Sequence, residues 1–533
     1  MEGEIEPKMG NCVICGVECE KKCASCHRVF YCSVEHQRDD WKSHKKSCPV
    51  YRICHDGTIG RFLVATRNIK FGDVVLKEAP LVVGPSQLTA PVCLGCLQEV
   101  NERTMIKCAK CGWPMCSKDC QEAPNHAEEC KLSAARGGVT IEHFVAPHPI
   151  YQCILTLRCL LMEQSCPEKW EKISQLESHN DRRKDSQQWL SDREYVAKFI
   201  PKFFKIPERW KEEEIMRILG IVYINGHEVP LTDPAYVAIY ATASFFEHCC
   251  CANVAKSFTD SGDVVFWAAR NIKKDEHLSI CYTDALWGTQ ARQEHLQQTK
   301  MFSCNCYRCM DVTELGTNFS AIKCEAFREA GAPGCDGLLL PEGPLAWSKE
   351  WMCRKCQRKI TCKHIEELVE KAGHDAVEMK ESLRGCQEFL RKYEKILSPN
   401  HFIMCDVKCV MGQKIGEGNP QELQNIPMDM LEMKGKLCNE MLELFALLAP
   451  AENRSHGCMH FELHAALAEM ARRGAECGID CKDILEKSLW HAQKATQWLE
   501  KEPSVLVEGK ICAQAKINVN SLKIVLKMHN PST

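Results

Sequence analysis

The chain has 533 residues, of which 45% are hydrophobic and 26% charged, and its formal net charge is -3. This length exceeds what one hydrophobic core organises, so several globular domains are expected. The near-neutral charge gives no electrostatic reason to expect direct binding to nucleic acid or to a membrane. The N-terminus contains no apolar signal core, no run reaches transmembrane length, and no basic targeting cluster stands out. We therefore expect a protein of the nucleus, the cytoplasm or both.

The 38 cysteines require an explanation. In a reducing compartment such cysteines are metal ligands or buried thiols rather than disulfides. They concentrate as C-x-x-C pairs before residue 131 and again between Cys249 and Cys356. This clustering predicts metal sites.

The first cluster lies between residues 12 and 48. A C-x-x-C turn presents two thiolates to one tetrahedral zinc ion, and ligands four residues apart share one face of a helix. Eight such ligands predict two ions. The order of ligands and the YCS, Q-x-x-DW and H-K-x-x-C segments resemble the MYND zinc finger. The resemblance implies one ion held by Cys12, Cys15, Cys32 and His36, and another held by Cys23, Cys26, His44 and Cys48.

Residues 51 to 90 alternate apolar and polar side chains around a turn at 71–73, which predicts two strands. A plain β-hairpin would account for this pattern. The segment also resembles the opening of a SET methyltransferase domain, whose glycine-rich turn approaches the methyl donor S-adenosylmethionine. Gly60 matches that turn, whereas Phe62 stands where the family has a small residue. A backbone that passes close to a cofactor favours glycine, so Phe62 is a departure from the family pattern.

Residues 93 to 130 repeat the ligand order of the first cluster. This repeat resembles a second MYND finger inserted into the SET domain. The resemblance implies one zinc ion on Cys93, Cys96, Cys116 and Cys120, and another on Cys108, Cys111, His126 and Cys130.

From His148 to about residue 222, apolar residues recur at helical spacings, which predicts a helical insertion. Its charged middle, including the run DRRKD at 181–185, predicts a solvated face. Asn225, before Gly226, has two interpretations that the sequence leaves open. It is a simple turn residue or, by resemblance to the SET family, a contact to the methyl donor.

The segment FEHCCCAN, at 246–253, resembles the SET motif N-H-S-C-x-P-N with Glu247 in place of the first asparagine. The resemblance implies that Glu247 and His248 face the donor and that Cys250 binds zinc. A carboxylate cannot donate a hydrogen bond as an amide does, and a buried unpaired charge is costly. Glu247 and Phe62 therefore both point toward weak or absent donor binding.

Tyr282 ends a predicted strand that resembles the strand carrying the SET active-site tyrosine. In-line methyl transfer to a lysine amine depends on alignment, and a tyrosine hydroxyl can orient the amine. We therefore predict that Tyr282 is catalytic, and the alternative is a tyrosine that packs a strand end.

Three cysteines, Cys304, Cys306 and Cys309, leave a tetrahedral zinc site one ligand short. The resemblance implies that Cys250 completes it, with the adjacent Cys249 and Cys251 as alternatives, and that Phe302 stacks on the donor's adenine. A further site is predicted on a later set of cysteines, with two alternative ligands. The set is Cys324, Cys335, Cys353 and Cys356, and the alternatives are Cys362 and His364.

From about Ile365 the pattern is helical to near the C-terminus. Together these features resemble the SET and MYND domain-containing (SMYD) family, whose arthropod-specific branch carries an additional N-terminal finger. The expected fold class is a multidomain α+β protein. Its expected parts are an N-terminal MYND finger (1–50), the first part of a SET domain (51–90), a second MYND-type finger (91–131), a helical insertion (132–222), the second part of the SET domain (223–285), a cysteine-rich post-SET region (286–364) and a helical, tetratricopeptide-like region (365–533).

The family resemblance implies an S-adenosylmethionine-dependent methyltransferase that acts on lysines of histone or non-histone proteins. It implies about five structural zinc ions, with a sixth at the later cysteines, and fingers that bind proline-rich peptides of partner proteins. The alternative is a weak or inactive SET scaffold that serves as an interaction adaptor in transcriptional repression. A metal-dependent hydrolase is disfavoured because each predicted zinc site has four protein ligands and no open position for water.

Overall fold

The computed structural model describes residues 9–23, 29–57, 59–328, 334–347, 349–417 and 420–529. The strands are β1 (Gly10–Asn11), β2 (Glu18–Cys19), β3 (Tyr51–Asp56), β4 (Gly60–Ala65), β5 (Val74–Glu78), β6 (Val82–Pro85), β7 (Ile106–Lys107), β8 (Pro114–Met115), β9 (Gly226–Val229), β10 (Tyr236–Ile239), β11 (Glu247–His248), β12 (Val254–Phe258), β13 (Val264–Ala268), β14 (His277–Ile280), β15 (Ile322–Lys323), β16 (Leu338–Pro341), β17 (Trp351–Cys353) and β18 (Lys359–Ile360). The helices are α1 (Val34–Ser47), α2 (Lys118–Gln121), α3 (Ala127–Ala135), α4 (Ile154–Ser165), α5 (Pro167–Ser174), α6 (Asn180–Arg183), α7 (Gln187–Asp192), α8 (Phe199–Phe203), α9 (Glu212–Asn225), α10 (Thr289–Lys300), α11 (Cys362–Met379), α12 (Leu383–Tyr393), α13 (Phe402–Lys414), α14 (Pro420–Asn425), α15 (Met428–Leu448), α16 (Asn453–Glu476), α17 (Lys482–Leu499) and α18 (Val507–His529). The predicted mixture of helix and sheet is confirmed.

The two cysteine-rich modules before residue 131 share one local feature, a serine that caps the start of a helix. In the first, the Ser33 hydroxyl accepts a hydrogen bond from the His36 N–H at 3.2 Å and caps the start of α1. In the second, the Ser117 hydroxyl accepts from the Cys120 N–H at 3.3 Å at the start of α2. Each cap holds the cysteine before the serine, Cys32 or Cys116, close to the predicted ligand in the first helical turn, which is His36 or Cys120.

The SET region is built from three small sheets, with strand orders β6-β10-β9, β11-β14-β4-β3 and β12-β13-β5. The predicted turn is present, and the Lys70 N–H donates to the Asp73 carboxylate at 3.0 Å. The strands on either side of the turn, β4 and β5, nevertheless belong to different sheets. The plain-hairpin interpretation of this segment is therefore wrong, because β4 pairs with β3 and β14 whereas β5 pairs with β13.

Helices α4 to α9 lie in the range where the sequence predicts a helical insertion, and they share a hydrophobic core with the second cysteine-rich module. The prediction that the DRRKD run is a solvated face is wrong at Arg183. Its side chain is 1% exposed and donates to the Asp192 carboxylate at 2.6 Å. The opposite charge at Asp192 compensates the desolvation that would otherwise keep an arginine at the surface.

The C-terminal part joins a four-stranded sheet, β15-β16-β17-β18, to helices α11 to α18. Helices α15 to α18 pack one against the next along the chain, as the sequence predicts. Trp498 of α17 contacts Trp267 of β13 with ring centroids 5.5 Å apart and Phe71 at 5.0 Å. These rings attach the helical region to the SET sheets. Within the described ranges, every helix is too short or too polar to cross a bilayer.

Candidate functional site

Three of the predicted site residues, His248, Tyr282 and Phe302, converge on one place. The ring of His248 lies 5.3 Å from that of Tyr282 and 5.9 Å from that of Phe302, centroid to centroid. Strand β11 runs parallel to β14 and pairs His248 with Ile280, two residues before Tyr282. Beyond α10, Met301 adopts a left-handed φ of 62°, which turns the chain so that Phe302 points back to His248.

The tautomer of His248 follows from its contacts. Its Nδ1 accepts a hydrogen bond from the Tyr282 N–H at 3.0 Å, so the ring proton belongs on Nε2, which lies 3.3 Å from the sulfur of Cys250. Burial lowers the pKa of His248 to about 4, so the imidazole is neutral at physiological pH. His248 thereby links the tyrosine to the cysteine cluster described below.

The hydroxyl of Tyr282 donates a short hydrogen bond to the Phe246 carbonyl. Burial, with a contribution from Glu247, raises the pKa of Tyr282 above its usual value. The side chain is therefore a neutral phenol at physiological pH. It can accept a hydrogen bond through its oxygen, but it cannot act as a phenolate base.

Glu247 lies apart from its neighbour His248, because adjacent residues of a strand point to opposite faces. Its Oε1 is 2.9 Å from Nδ1 of His277, and the Phe62 ring stacks on the same imidazole at 4.5 Å with an interplanar angle of 25°. Burial raises the pKa of Glu247, and the nearby His277 opposes that shift. The two departures from the SET pattern, Glu247 and Phe62, thus form one packed unit through His277.

Gly60 and Asn225 have distinct local roles. Gly60 has φ +76° at the start of β4, and a Cβ there would meet open space, so backbone conformation rather than crowding favours glycine. Asn225 is the last residue of α9, and its amide donates to the carbonyls of Glu177 at 2.8 Å and Ile221 at 2.9 Å. Both N–H groups of the Asn225 side chain are therefore used by backbone carbonyls. This geometry favours neither a simple turn residue nor an amide group that faces the methyl donor.

Lys300 is a residue at this site that the sequence reasoning missed. Its Nζ donates to the Ile224 carbonyl at 2.7 Å and lies 5.7 Å from the centroid of the Tyr282 ring. Burial lowers the pKa of Lys300 to about 8, and Lys256 contributes in the same direction. A signal was present in the sequence: Lys300 is two residues before Phe302, at the end of a helix leading into the site.

The sulfur atoms of Cys250, Cys304, Cys306 and Cys309 all lie within 4.8 Å of one another. Cys250 is 3.5 Å from Cys309 and 4.0 Å from Cys304, sulfur to sulfur. The sulfur of Cys251 instead contacts the carbonyls of Leu447 and Leu448 at 3.6 Å. Cys249 lies outside the set of four, so the geometry favours Cys250 among the three adjacent cysteines.

A network of buried charged side chains supports the cysteine cluster at Cys250. The sequence analysis did not predict this network. Arg292 donates to the sulfur of Cys250 at 3.3 Å and to the carboxylate of Glu314 at 3.2 Å. Arg308 donates to the same carboxylate at 2.9 Å, and all three charged side chains are fully buried. Arg292 shares the buried face of the otherwise polar helix α10 with Thr289 and Leu296, so its spacing of four residues from Leu296 was the available signal.

The N-terminal module brings its predicted ligands together as far as the structure describes them. One group contains Cys12, Cys15, Cys32 and His36, with His36 Nδ1 at 3.1 Å from the Cys32 sulfur. A second group contains Cys23, His44 and Cys48. Its predicted fourth ligand, Cys26, lies outside the described residues.

The second module gathers Cys108, Cys111, His126 and Cys130 into one buried group. Nε2 of His126 lies 3.3 Å from the Cys111 sulfur, whereas its Nδ1 lies 3.5 Å from Oε1 of Glu129, which Arg158 of α4 also binds. Arg158 further donates to the carbonyls of Val83 and Leu94, each at 2.7 Å. A carboxylate behind a ligand histidine is the usual outer layer of a zinc site, and here it joins the module to the helical insertion.

The other half of this module is formed around Cys93, Cys96, Cys116 and Cys120. The Cys116 N–H donates to the Cys93 sulfur at 3.4 Å, and the sulfurs of Cys96 and Cys116 are 3.7 Å apart. A Cβ on Gly95 would lie 2.5 Å from the Cys120 carbonyl oxygen, so the C-x-x-C turn packs directly on Cys120.

A cavity of about 410 Å³ lies between the segment that starts at Asp284 and the helical region. Its walls come from the segment after β14 and from helices α11, α13, α15 and α16. They include Asp284, Trp287, Asp406, Phe445 and Met459. Lys380 also lines the cavity and pairs with Asp406 at 2.8 Å, so the walls are mostly apolar with a few charged groups.

Comparisons with known proteins agree with these features. The family model of the MYND finger matches residues 12–48, and that of the SET domain matches residues 60–283. SET domain-containing protein SmydA-8, isoform A, of Drosophila melanogaster is 27% identical over 329 residues, covering 58% of this chain and 65% of that protein. Histone-lysine N-methyltransferase ASHR1 of Arabidopsis thaliana is 26% identical, covering 56% and 62%. N-lysine methyltransferase SMYD2 of Homo sapiens is 26% identical, covering 48% and 59%.

The chain thus spans about two thirds or less of the length of these relatives. The matched regions nevertheless include both a MYND finger and a SET domain, in that order. With the cysteine cluster at Cys250 and the helical region behind it, the chain is similar to proteins that combine a MYND finger with a SET domain.

Proposed function

We propose that the chain is an S-adenosylmethionine-dependent protein-lysine N-methyltransferase. The observation that carries the proposal is the convergence of Tyr282, His248 and Phe302 beside the Cys250 cluster. The match to the SET domain and the relatives named as lysine methyltransferases support it.

The residues around this site are compatible with the methyl donor. When bound, S-adenosylmethionine supplies an electrophilic sulfonium methyl group. Phe302 and His248 offer aromatic faces for an adenine, and Gly60 lets the β3–β4 turn take a conformation that other residues rarely adopt. Glu247 pairs with His277, so its charge is not left buried and unpaired. The departures at Glu247 and Phe62 therefore do not by themselves prevent donor binding.

Tyr282 acts by orientation. Its hydroxyl proton is committed to the Phe246 carbonyl, which leaves an oxygen lone pair to accept an N–H of the substrate amine. Holding the amine in line with the reacting carbon removes much of the entropic barrier to transfer. Because the phenol stays protonated, the amine must lose its proton by another route.

Lys300 favours the neutral form of the substrate amine. The Lys300 ammonium lies 5.7 Å from the centroid of the Tyr282 ring. At a comparable separation and an effective dielectric of ~20, it would destabilise a second ammonium held by the Tyr282 hydroxyl by on the order of 2 kcal/mol. That corresponds to lowering the pKa of the substrate lysine by between one and two units, roughly. A neighbouring cation is an established way to activate a lysine nucleophile.

We also propose that the cysteine clusters hold structural zinc. Two ions would occupy the N-terminal finger, two would occupy residues 93–130 as a second MYND-type finger, and one would join Cys250 to the cluster at Cys304. Each complete site offers four protein ligands, so the ions would stabilise the fold rather than activate water. The fingers would bind proline-rich segments of partner proteins. Exposed apolar side chains of the first finger, Val13, Val17 and Val34, support this role.

Calorimetry with S-adenosylmethionine on the zinc-replete full chain tests the donor site. Labelled-methyl transfer to lysine-containing proteins, followed by mass spectrometry, tests the activity. Tyr282→Phe is expected to lower turnover on the order of 10²-fold through lost alignment, whereas Tyr307→Phe, at an exposed tyrosine, should retain it. Absence of donor binding at millimolar concentration would refute the proposed enzyme and favour the adaptor alternative.

A further inference from the structure

Four cysteines in the C-terminal sheet lie together outside the site described above. Cys324 follows β15, Cys335 precedes β16, Cys353 ends β17, and Cys356 lies in the turn to β18. The antiparallel order β15-β16-β17-β18 brings these positions to one end of the sheet. All four thiols are free of disulfides.

Their spacing matches a tetrahedral metal site. Cys324 and Cys356 are 3.6 Å apart, Cys335 and Cys353 are 3.7 Å apart, and all four sulfurs lie within 4.8 Å of one another. A tetrahedron of sulfurs around zinc at ~2.3 Å has edges of about 3.8 Å. Ordinary packing of neutral thiols does not require this arrangement.

The backbone around the cluster is directed at the sulfurs. The N–H groups of Gly337 and Lys355 donate to Cys335 and Cys353 at 3.4 Å, and the Cys356 N–H donates to Cys353 at 3.5 Å. A Cβ on Gly337 would lie 2.5 Å from the Cys353 sulfur, so only glycine allows the loop to close over the cluster. Backbone N–H donors of this kind stabilise thiolates, which are the form that binds metal.

We propose that Cys324, Cys335, Cys353 and Cys356 form a structural zinc site that holds the C-terminal sheet against the helical region. Four protein ligands leave no open coordination position, which excludes a catalytic role. The sequence left His364 and Cys362 as alternative ligands. His364 Nδ1 instead pairs with the Thr361 hydroxyl at 2.9 Å, and neither residue belongs to the group of four.

The need for a metal follows from the size of the sheet. Strands β15 and β18 have two residues each, and such short strands are marginal without a further constraint. Cys324 and Cys353 are fully buried in the core that this sheet shares with α11, α12 and α13. The metal would therefore fix the sheet and the first helices of the C-terminal region as one unit.

Zinc content of the purified full chain, measured by inductively coupled plasma mass spectrometry, tests the site. Cys356→Ser is expected to lower the zinc content by one ion per chain. Cys356 is exposed, so its substitution leaves no cavity. The matched control is Cys386→Ser, at a buried thiol in the same core but outside the group of four. It should leave the zinc content unchanged.

Alkylation by a maleimide, read by peptide mass spectrometry, gives a second measurement that does not depend on the ion count. Cys356 and Cys477 are both exposed. In the zinc-loaded chain Cys356 should react at least tenfold more slowly than Cys477, and a chelator should abolish the difference. An unchanged zinc content in Cys356→Ser, or equal alkylation of the two thiols before chelation, would overturn the proposal.

Discussion

Replacing Arg292 with methionine is expected to weaken the proposed zinc site at Cys250. Arg292 is fully buried and donates to the Cys250 sulfur at 3.3 Å, to the Thr289 hydroxyl at 2.7 Å and to Glu314 at 3.2 Å. Methionine has a similar length and carries no charge. Removing one partner of a buried charge network costs about 3–5 kcal/mol, although Arg308 would still neutralise Glu314.

The effect of Arg292→Met on zinc affinity is separate from its effect on folding stability. Loss of an outer-layer partner typically lowers metal affinity by about 10–100-fold, which equals about 1.4–2.7 kcal/mol. The loss has a direct cause here, because four thiolates around one divalent ion carry excess negative charge that Arg292 compensates. Zinc is therefore expected to leave this site at a lower chelator concentration in Arg292→Met than in the unmodified chain.

The assay is maleimide alkylation of Cys306, the most accessible thiol of the cluster, at increasing chelator concentration. Chemical unfolding followed by circular dichroism gives the stability. The matched control is Arg384→Met, since Arg384 is exposed and pairs with Glu388 on the surface of α12. Its expected cost is at most about 0.5 kcal/mol. A chelation midpoint for Arg292→Met within twofold of the unmodified chain would refute the reasoning.

Three further predictions use other parts of the molecule. Burial raises the pKa of Glu452 to about 7, so the folded state binds more protons than the unfolded state between about pH 4.5 and 7. Stability should therefore fall as pH rises through that range, and Glu452→Gln should remove roughly 2 kcal/mol of the fall between pH 5 and 7.5 in thermal unfolding. Trp498→Ala should cost about 3–5 kcal/mol in chemical denaturation, because Trp498 packs on Trp267, whereas the exposed Trp490 should tolerate alanine. In the pH–rate profile of methylation, Lys300→Met should move the acidic limb to higher pH by roughly one to two units. An unshifted limb would contradict the proposed role of the Lys300 charge.

The sequence alone was sufficient to recognise the metal chemistry. C-x-x-C pairs and ligands four residues apart are local patterns, so their spacing already brings sulfurs and imidazoles together before any long-range contact forms. The N-terminal module and the cysteines between 93 and 130 were predicted on this basis. Tyr282, His248 and Phe302 were found through resemblance to the SET motifs, and the structure brings all three together.

The contacts across long separations depended on tertiary structure. Cys250 meets Cys304 across 54 residues, and sequence could not choose between Cys250 and its two neighbours because side-chain direction depends on how the chain folds around them. The opposite orientation of Glu247 and His248 follows from their place in β11, a strand of two residues that pairs with β14. No local pattern predicted that strand.

The charged groups around the site also depended on tertiary structure. The sequence analysis did not predict that three polar residues are buried: Arg292, Glu314 and Lys300. Their burial, and with it the lowered pKa of Lys300, arises only when α10 packs against α9 and the cysteine cluster. Sequence determined which groups can bind metal, because that property belongs to the side chains and their spacing. Tertiary structure decided which charges lose water and meet, because desolvation depends on everything packed around them.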